Sequence, residues 1–187
     1  MTGIRVEHLG DNRSGKTLTN AIFAWEAYNR GKTVLCNCSR IDPVGEGVYD
    51  CILNFPHYHF DMGNPFAHDW HDCYLMTDET VEFLDSRVAA KKEVREFGHF
   101  GYQVLKRGIE WHYDTVLHEN IEKRIRKSPE YQVRTERIPR DVQLPLMAIR
   151  VTIASRWGHS KSFFLTEPWR YYPLYNDRVR VLPLEAQ

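Results

Sequence analysis

The segment Gly10-Asp11-Asn12-Arg13-Ser14-Gly15-Lys16-Thr17 fits G-x-x-x-x-G-K-[S/T] at every fixed position. The pattern restricts a fold tightly, because it works only where a strand runs into the loop and a helix leaves it. Both flanks comply. Ile4 to Leu9 alternates apolar and polar residues and reads as a first strand, and Leu18 to Tyr28 places Leu18, Ile22 and Trp25 on one helical face. Asn29-Arg30-Gly31-Lys32 then closes the helix, with Gly31 as its stop. In this setting the backbone N–H groups of Asn12 to Thr17 wrap a β-phosphate, between Gly10 and Asp11 on one side and Leu18 on the other. Lys16 would reach the β- and γ-phosphates and the Thr17 hydroxyl would ligate Mg²⁺. The ligands implied are ATP and Mg²⁺.

The rest of the chain alternates strands and helices. Thr33 to Cys38 reads as a second buried strand, Val48 to Phe55 as a further strand, and Cys73 to Met76 as a third buried one. A helix begins over Thr80 to Ser86, and another runs from Lys91 to Arg107, with Val94, Phe97, Gly101, Val104 and Leu105 as its stripe and Gly108 as its stop. Ile109 to Val116 is strand-like, the basic stretch after Leu117 is irregular or a short helix, and Leu146 to Ala154 with Ser162 to Leu165 reads as a terminal hairpin. Tyr171 to Leu184 is a Pro-rich tail with one more short strand. The expected fold is α/β, a P-loop NTPase core with a central, mainly parallel sheet flanked by helices. At 187 residues it is expected to be a single P-loop ATPase domain over 1–187, with an acidic insert near 41–72 and a hairpin and tail near 146–187.

The third strand ends in Asp78-Glu79, as a Walker B element should. Asp78 would hold Mg²⁺ and Glu79 would polarise the attacking water, a division of labour that hydrolyses ATP rather than only binding it.

Charge is distributed unevenly although the formal net charge is zero. Residues 41–86 carry ten acidic residues and no Lys or Arg, whereas Ile121 to Arg140 carries Lys123, Arg124, Arg126, Lys127, Arg134, Arg137 and Arg140 against three Glu. The basic run is either a solvated face or a contact for double-stranded DNA phosphates. Cys36, Cys38, Cys51 and Cys73 form no C-x-x-C, and buried reduced thiols are expected. No window is apolar enough to span a membrane, and no basic-then-apolar leader opens the chain, so secretion is not expected. His57, His59, His68 and His71 read as surface or turn histidines rather than a zinc site. Trp157, Phe163, Phe164, Trp169, Tyr171, Tyr172 and Tyr175 could stack bases, but packing on the sheet or a neighbouring subunit is the preferred reading.

Five segments together resemble the viral genome-packaging and phage-assembly ATPases of the additional-strand, catalytic-glutamate P-loop class, in particular the zonula-occludens-toxin-like and archaeal or bacterial virus members. They are Gly10 to Leu18; Gly31 to Val34 with Asn37; Asp78-Glu79 followed by Leu84-Asp85-Ser86-Arg87; Arg107-Gly108-Ile109 leading to Ile121-Glu122-Lys123-Arg124-Ile125-Arg126; and Tyr171 to Asn176. The resemblance makes Arg87, Arg107, Arg124 and Arg126 candidates for nucleotide sensing or a trans-acting arginine finger. It implies a homo-oligomeric ring on DNA, a capsid or portal-type partner, and a place in the host cytoplasm or on the virion. One departure stands out. The family's polar sensor falls here on Val116, with Asp114, Thr115 or His118 as substitutes.

The function expected is an ATP-hydrolysing motor that translocates viral DNA into a capsid. The alternatives are a virion assembly or export ATPase acting on coat protein, a small-molecule kinase, which the Asp78-Glu79 pair disfavours, and a nucleotide-gated binding module.

Overall fold

The computed structural model describes residues 2–37, 51–85, 87, 91–116 and 118–176. Its strands are β1 (Ile4–Leu9), β2 (Val34–Cys36), β3 (Tyr58–His59), β4 (Tyr74–Thr77), β5 (Glu110–Thr115), β6 (Tyr131–Ile138), β7 (Ala148–Ser155) and β8 (Ser160–Thr166). They form one eight-stranded sheet in the order β3-β2-β4-β5-β1-β6-β7-β8. All pairings from β3 across to β6 are parallel, and β6-β7 and β7-β8 are antiparallel. The α-helices are α1 (Lys16–Asn29), α2 (Thr80–Leu84), α3 (Lys92–Gln103) and α4 (Lys123–Arg126). This is the α/β P-loop NTPase fold.

The two faces of the sheet bury different sets. Leu75, Trp111 and Tyr113 pack with Phe97, Phe100, Val104 and Ile125 under α3 and α4. Val34, Cys36, Tyr74 and Met76 pack with Ala21, Ala24 and Ala27 of α1 on the other face. Central strands covered on both sides need apolar residues at every position, and β4 is buried throughout. Each fully buried large side chain here contributes about 1.5–3 kcal/mol. Gly101 lets α3 approach closely, since a Cβ there would lie 2.7 Å from Ile125 Cδ1 and 3.3 Å from the Trp111 ring.

A polar line runs through the α1 face. His8 Nε2 meets His112 Nδ1 at 2.9 Å, and His112 Nε2 meets Glu110 Oε1 at 3.3 Å. Glu110 also accepts from Lys32 Nζ at 2.7 Å. An ionised Glu110 requires the proton on His112 Nε2, which leaves His112 Nδ1 to accept from His8 Nε2–H. His8 Nδ1 is then a bare acceptor, and it is buried without a partner. Burial, aided by His112 and Lys16, holds His8 well below the usual imidazole range, and burial also lowers His112. Burial would raise Glu110, but the bonds from His112 and Lys32 bring it down to about 2.

Three readings of the sequence change. First, the stretch after Leu117, expected to be irregular or a short helix, contains α4 and also the eight-residue β6, which pairs in parallel with β1. Its sequence, YQVRTERI, buries only Val133 and Thr135, so its charges masked the strand. Second, Val48 to Phe55 shows only an isolated bridge at Leu53 among its described residues, and the rest of it lies outside them, as do Cys38 and the tail strand beyond Asn176. Third, Cys51 and Cys73 are buried and outside any disulfide but Cys36 is disulfide-bonded, so reduced thiols hold only for the former two. In the tail, Tyr171 and Tyr175 pack beneath α1, whereas Trp157, Phe164 and Trp169 are exposed. Among the described residues no helix is long and apolar enough to cross a membrane, and no group of three His, Cys, Asp or Glu is placed to hold a metal ion.

Candidate nucleotide site

The loop from Gly10 to Gly15 leaves the carboxyl end of β1 with Arg13 and Gly15 in the left-handed region, at φ 61° and 96°. No side chain caps α1, so the N–H groups of its first turn face the loop's hollow, where an anion is stabilised by the helix dipole. The neighbouring strands press the loop into shape. Ser14 Oγ lies 2.9 Å from Thr135 Oγ1, and a Cβ on Gly10 would meet the Thr135 carbonyl at 2.7 Å. A Cβ on Gly15 would strike Ile149 Cδ1 of β7. Lys16 Nζ rests on the carbonyls of Gly10 and Asp11, at 2.9 and 3.0 Å. Burial lowers its pKa, against the opposing pull of Asp114, Asp78 and Asp11.

The acidic pair arrives from β4. The Thr17 hydroxyl donates to Asp78 Oδ1 at 3.1 Å, so residues 61 positions apart share one site. The Asn37 side chain holds the Asp78 peptide at both ends: Asp78 N–H donates to Asn37 Oδ1 at 2.9 Å, and Asn37 Nδ2 donates to the Asp78 carbonyl at 3.1 Å. Glu79 follows at φ 48°, a conformation uncommon for a side-chain-bearing residue and typical of functional sites. Asp114, from β5, is buried beside the Asp78-Glu79 pair. Burial first, and then the Asp78 charge, push its carboxyl well above the ordinary range. Its Oδ1 has no partner.

Arg13, Gly15, Lys16, Thr17, Asp78 and Glu79 line a cleft of about 580 Å³. Leu18, Ile52, Val142, Leu146 and Tyr175 give it apolar lining, and Arg137 and Asn176 also contribute. Asp11, Asn12 and Ser14 face an adjoining depression with Thr135, Arg137 and Arg140. The Thr17 hydroxyl and the Asp78 carboxylate, 3.1 Å apart, are the hard oxygen donors that suit a cation such as Mg²⁺, which takes one or two protein ligands and keeps waters and phosphate oxygens for the rest. The arrangement can hold a polyphosphate, a cation and a carboxylate for water activation within one cleft.

The four arginines singled out in the sequence are not among the residues lining it. Arg87 is exposed and bound to Asp85. Arg107 sits at the opposite end of the sheet, where its carbonyl accepts from Asp72 N–H and its guanidinium pairs with Asp69 at 2.8 Å. Arg124 pairs with Glu122 at 2.8 Å, and Arg126 donates to the Glu119 carbonyl. The basic run from Ile121 to Arg140 is not one surface. Its first four cations ride on or beside α4, Arg134 points outward from β6, and Arg137 and Arg140 end beside the phosphate loop. Val116, at the expected sensor position, is exposed, and Asp114 is the β5 residue that meets the Walker B pair. Asn37 and Tyr175 fall in segments the resemblance marked. Arg137 carried no local signal, because strand register brings it to the cleft, and Val142 and Leu146 reach the cleft from the connection between β6 and β7.

No protein-family model and no curated protein matches the chain. Solved structures do. The N-terminal domain of zonular occludens toxin from Neisseria meningitidis superposes with a TM-score of 0.61 at 14% identity, over 94% of this chain and 100% of that one. The genome-packaging NTPase B204 of Sulfolobus turreted icosahedral virus 2, in complex with ATP-gammaS, gives 0.56 at 12% identity, over 86% and 96%. The pCW3 conjugation coupling protein TcpA, with ATPgS, gives 0.55 at 12%, over 98% of this chain and 64% of its own. At these identities the likeness is one of fold, and the fold this chain shares with the toxin domain and the genome-packaging NTPase is that of the P-loop NTPases.

Proposed function

We propose that this chain is an ATP-hydrolysing motor that moves viral DNA into a capsid. The observation that carries the nucleotide part is the 3.1 Å contact between Thr17 and Asp78, made in a cleft that Lys16 and Glu79 also line. ATP's phosphates would lie in the loop, on the backbone N–H groups of 12–17, and Lys16 would exchange its two carbonyl contacts for phosphate oxygens. Thr17 and Asp78 would hold Mg²⁺, which neutralises phosphate charge when bound. Glu79 would accept the proton of the attacking water, and Asn37 and Asp114 would keep the Asp78-Glu79 turn in place.

The DNA part is supported by the fold shared with B204, described as a genome-packaging NTPase, and with TcpA, described as a conjugation coupling protein. On this reading the chain is one ATPase domain that works as a homo-oligomeric ring, in the host cytoplasm or on the virion, against a capsid or portal-type protein. Since Arg87, Arg107, Arg124 and Arg126 do not line this chain's own cleft, any catalytic part they play is in trans, toward a neighbouring subunit. The cations on and beside α4 are the first DNA-contact candidates.

Phosphate release, measured with and without double-stranded DNA on the wild type and on Glu79→Gln, tests the proposal. DNA-stimulated turnover in the wild type, cut at least about a hundredfold in Glu79→Gln, is the expected result. Turnover stimulated only by coat protein would make the chain an assembly ATPase, turnover only with a nucleoside or metabolite would make it a kinase, and none at all would leave a nucleotide-gated binding module.

A further inference from the structure

We propose that Arg137 contacts the bound nucleotide's phosphates within its own chain, and that in doing so it releases the 139–147 segment; the inference rests on the nucleotide reading above. β6 runs parallel to β1 with Leu9 opposite Arg134, and therefore continues past the start of the phosphate loop. Thr135 touches the loop through Ser14, and Ile149, which presses on Gly15, is the registered neighbour of Arg137 on β7. Side chains two apart on a strand share a face, so Arg137 is the next group beyond Thr135 on the face that supports the loop. Arg137 lines the cleft together with Arg13, Lys16, Thr17 and Glu79.

Arg137 is bound as Lys16 is. Lys16 rests on two loop carbonyls, and Arg137 donates Nη1 to the Asp141 carbonyl at 2.7 Å and Nη2 to the Leu144 carbonyl at 2.8 Å. Neutral carbonyls are weak partners for a guanidinium compared with the oxygens of a polyphosphate, which accept charge-assisted, forked hydrogen bonds. A triphosphate entering the cleft offers Arg137 the stronger partner. Moving to it frees the two carbonyls that the guanidinium had held. The freed segment carries Val142 and Leu146, which line the cleft, and Val142, Leu144 and Met147 are exposed to solvent. Nucleotide occupancy is thereby read out as a change in an exposed apolar segment next to the site.

The test uses the full chain and ATPγS with Mg²⁺. ATPγS affinity and amide hydrogen exchange over 139–147 are measured for the wild type, Arg137→Ala and Arg137→Lys, with Arg134→Ala as a same-strand control on the opposite face. The expected result has three parts: affinity falls roughly tenfold or more in Arg137→Ala and less in Arg137→Lys; ATPγS speeds exchange over 139–147 in the wild type; and exchange in Arg137→Ala is fast whether or not ATPγS is present. Unchanged circular dichroism and thermal unfolding in Arg137→Lys show that a loss there is not misfolding. Wild-type affinity in Arg137→Ala, or an equal loss in Arg134→Ala, overturns the proposal while leaving the nucleotide site standing. Wild-type exchange over 139–147 that is unaffected by ATPγS also overturns it. A wild type that binds no ATPγS overturns the nucleotide reading and this inference together.

Discussion

Mild acid should destabilise this protein through His8 and His112, which are fully buried and share one hydrogen bond in the middle of the sheet. Both have folded-state pKa values below the ordinary imidazole value, so the unfolded chain binds protons that the native one refuses. Stability contributed by keeping them neutral is therefore complete above about pH 6.5 and is lost as pH falls below it, toward their folded values. Each such site costs up to about 1.4 kcal/mol per pH unit, so going from pH 7.5 to 5.5 removes about 1.4 kcal/mol per histidine that stays neutral and about 2.8 for the pair. Glu110 adds nothing to that slope, since at about 2 its carboxyl remains ionised throughout the window. Against a typical stability of about 5–15 kcal/mol the loss is large. Urea unfolding of the wild type and His112→Gln at pH 7.5, 6.5 and 5.5 isolates the effect, because the surface histidines are common to both. The variant's stability should fall less steeply, by up to one proton's worth. Coincident slopes, or an imidazole resonance of folded His8 or His112 that titrates near pH 6.5, would refute the reasoning.

Two further substitutions test how the site is built and held. Gly10→Ala sets a methyl against the fixed carbonyl of Thr135, 2.7 Å away, and should cost about 1–3 kcal/mol together with nucleotide affinity; calorimetry should show Tm lower by several degrees, and an unchanged Tm would mean that β6 does not brace the loop. Glu130→Ala strands the buried Arg5 guanidinium, which Glu130 holds at 2.9 and 3.3 Å, and should cost roughly 3–5 kcal/mol by urea unfolding. Replacing both partners at once, as Arg5→Met with Glu130→Leu, should cost much less, and an equal cost would refute the charge argument.

How much of this was readable beforehand follows the range of the interaction responsible. The phosphate loop, its flanking strand and helix, and the glycine that ends α1 at φ 80° are set by neighbours in the chain, and all were legible. So was the strand that ends at Asp78-Glu79, because a strand buried on both faces must be apolar throughout. β6 was missed for the opposite reason: Arg134 is exposed, Glu136 and Arg137 are half-buried, and the backbone pairing with β1 that makes it a strand leaves no mark in its own composition. The candidate site divided in the same way. The residues proposed to hold phosphate and cation lie in two short motifs, as does Arg13, whereas the cleft's second arginine, Arg137, does not. A basic run reads as one patch in sequence, whereas strand register sends Arg134 outward and Arg137 to the loop, and a one-residue shift would exchange them. By itself the chain determined a glycine-rich turn between a strand and a helix, because backbone geometry there depends on adjacent residues. Only the tertiary structure decided which distant side chains close that site, because sheet register is fixed by burial summed over the whole core.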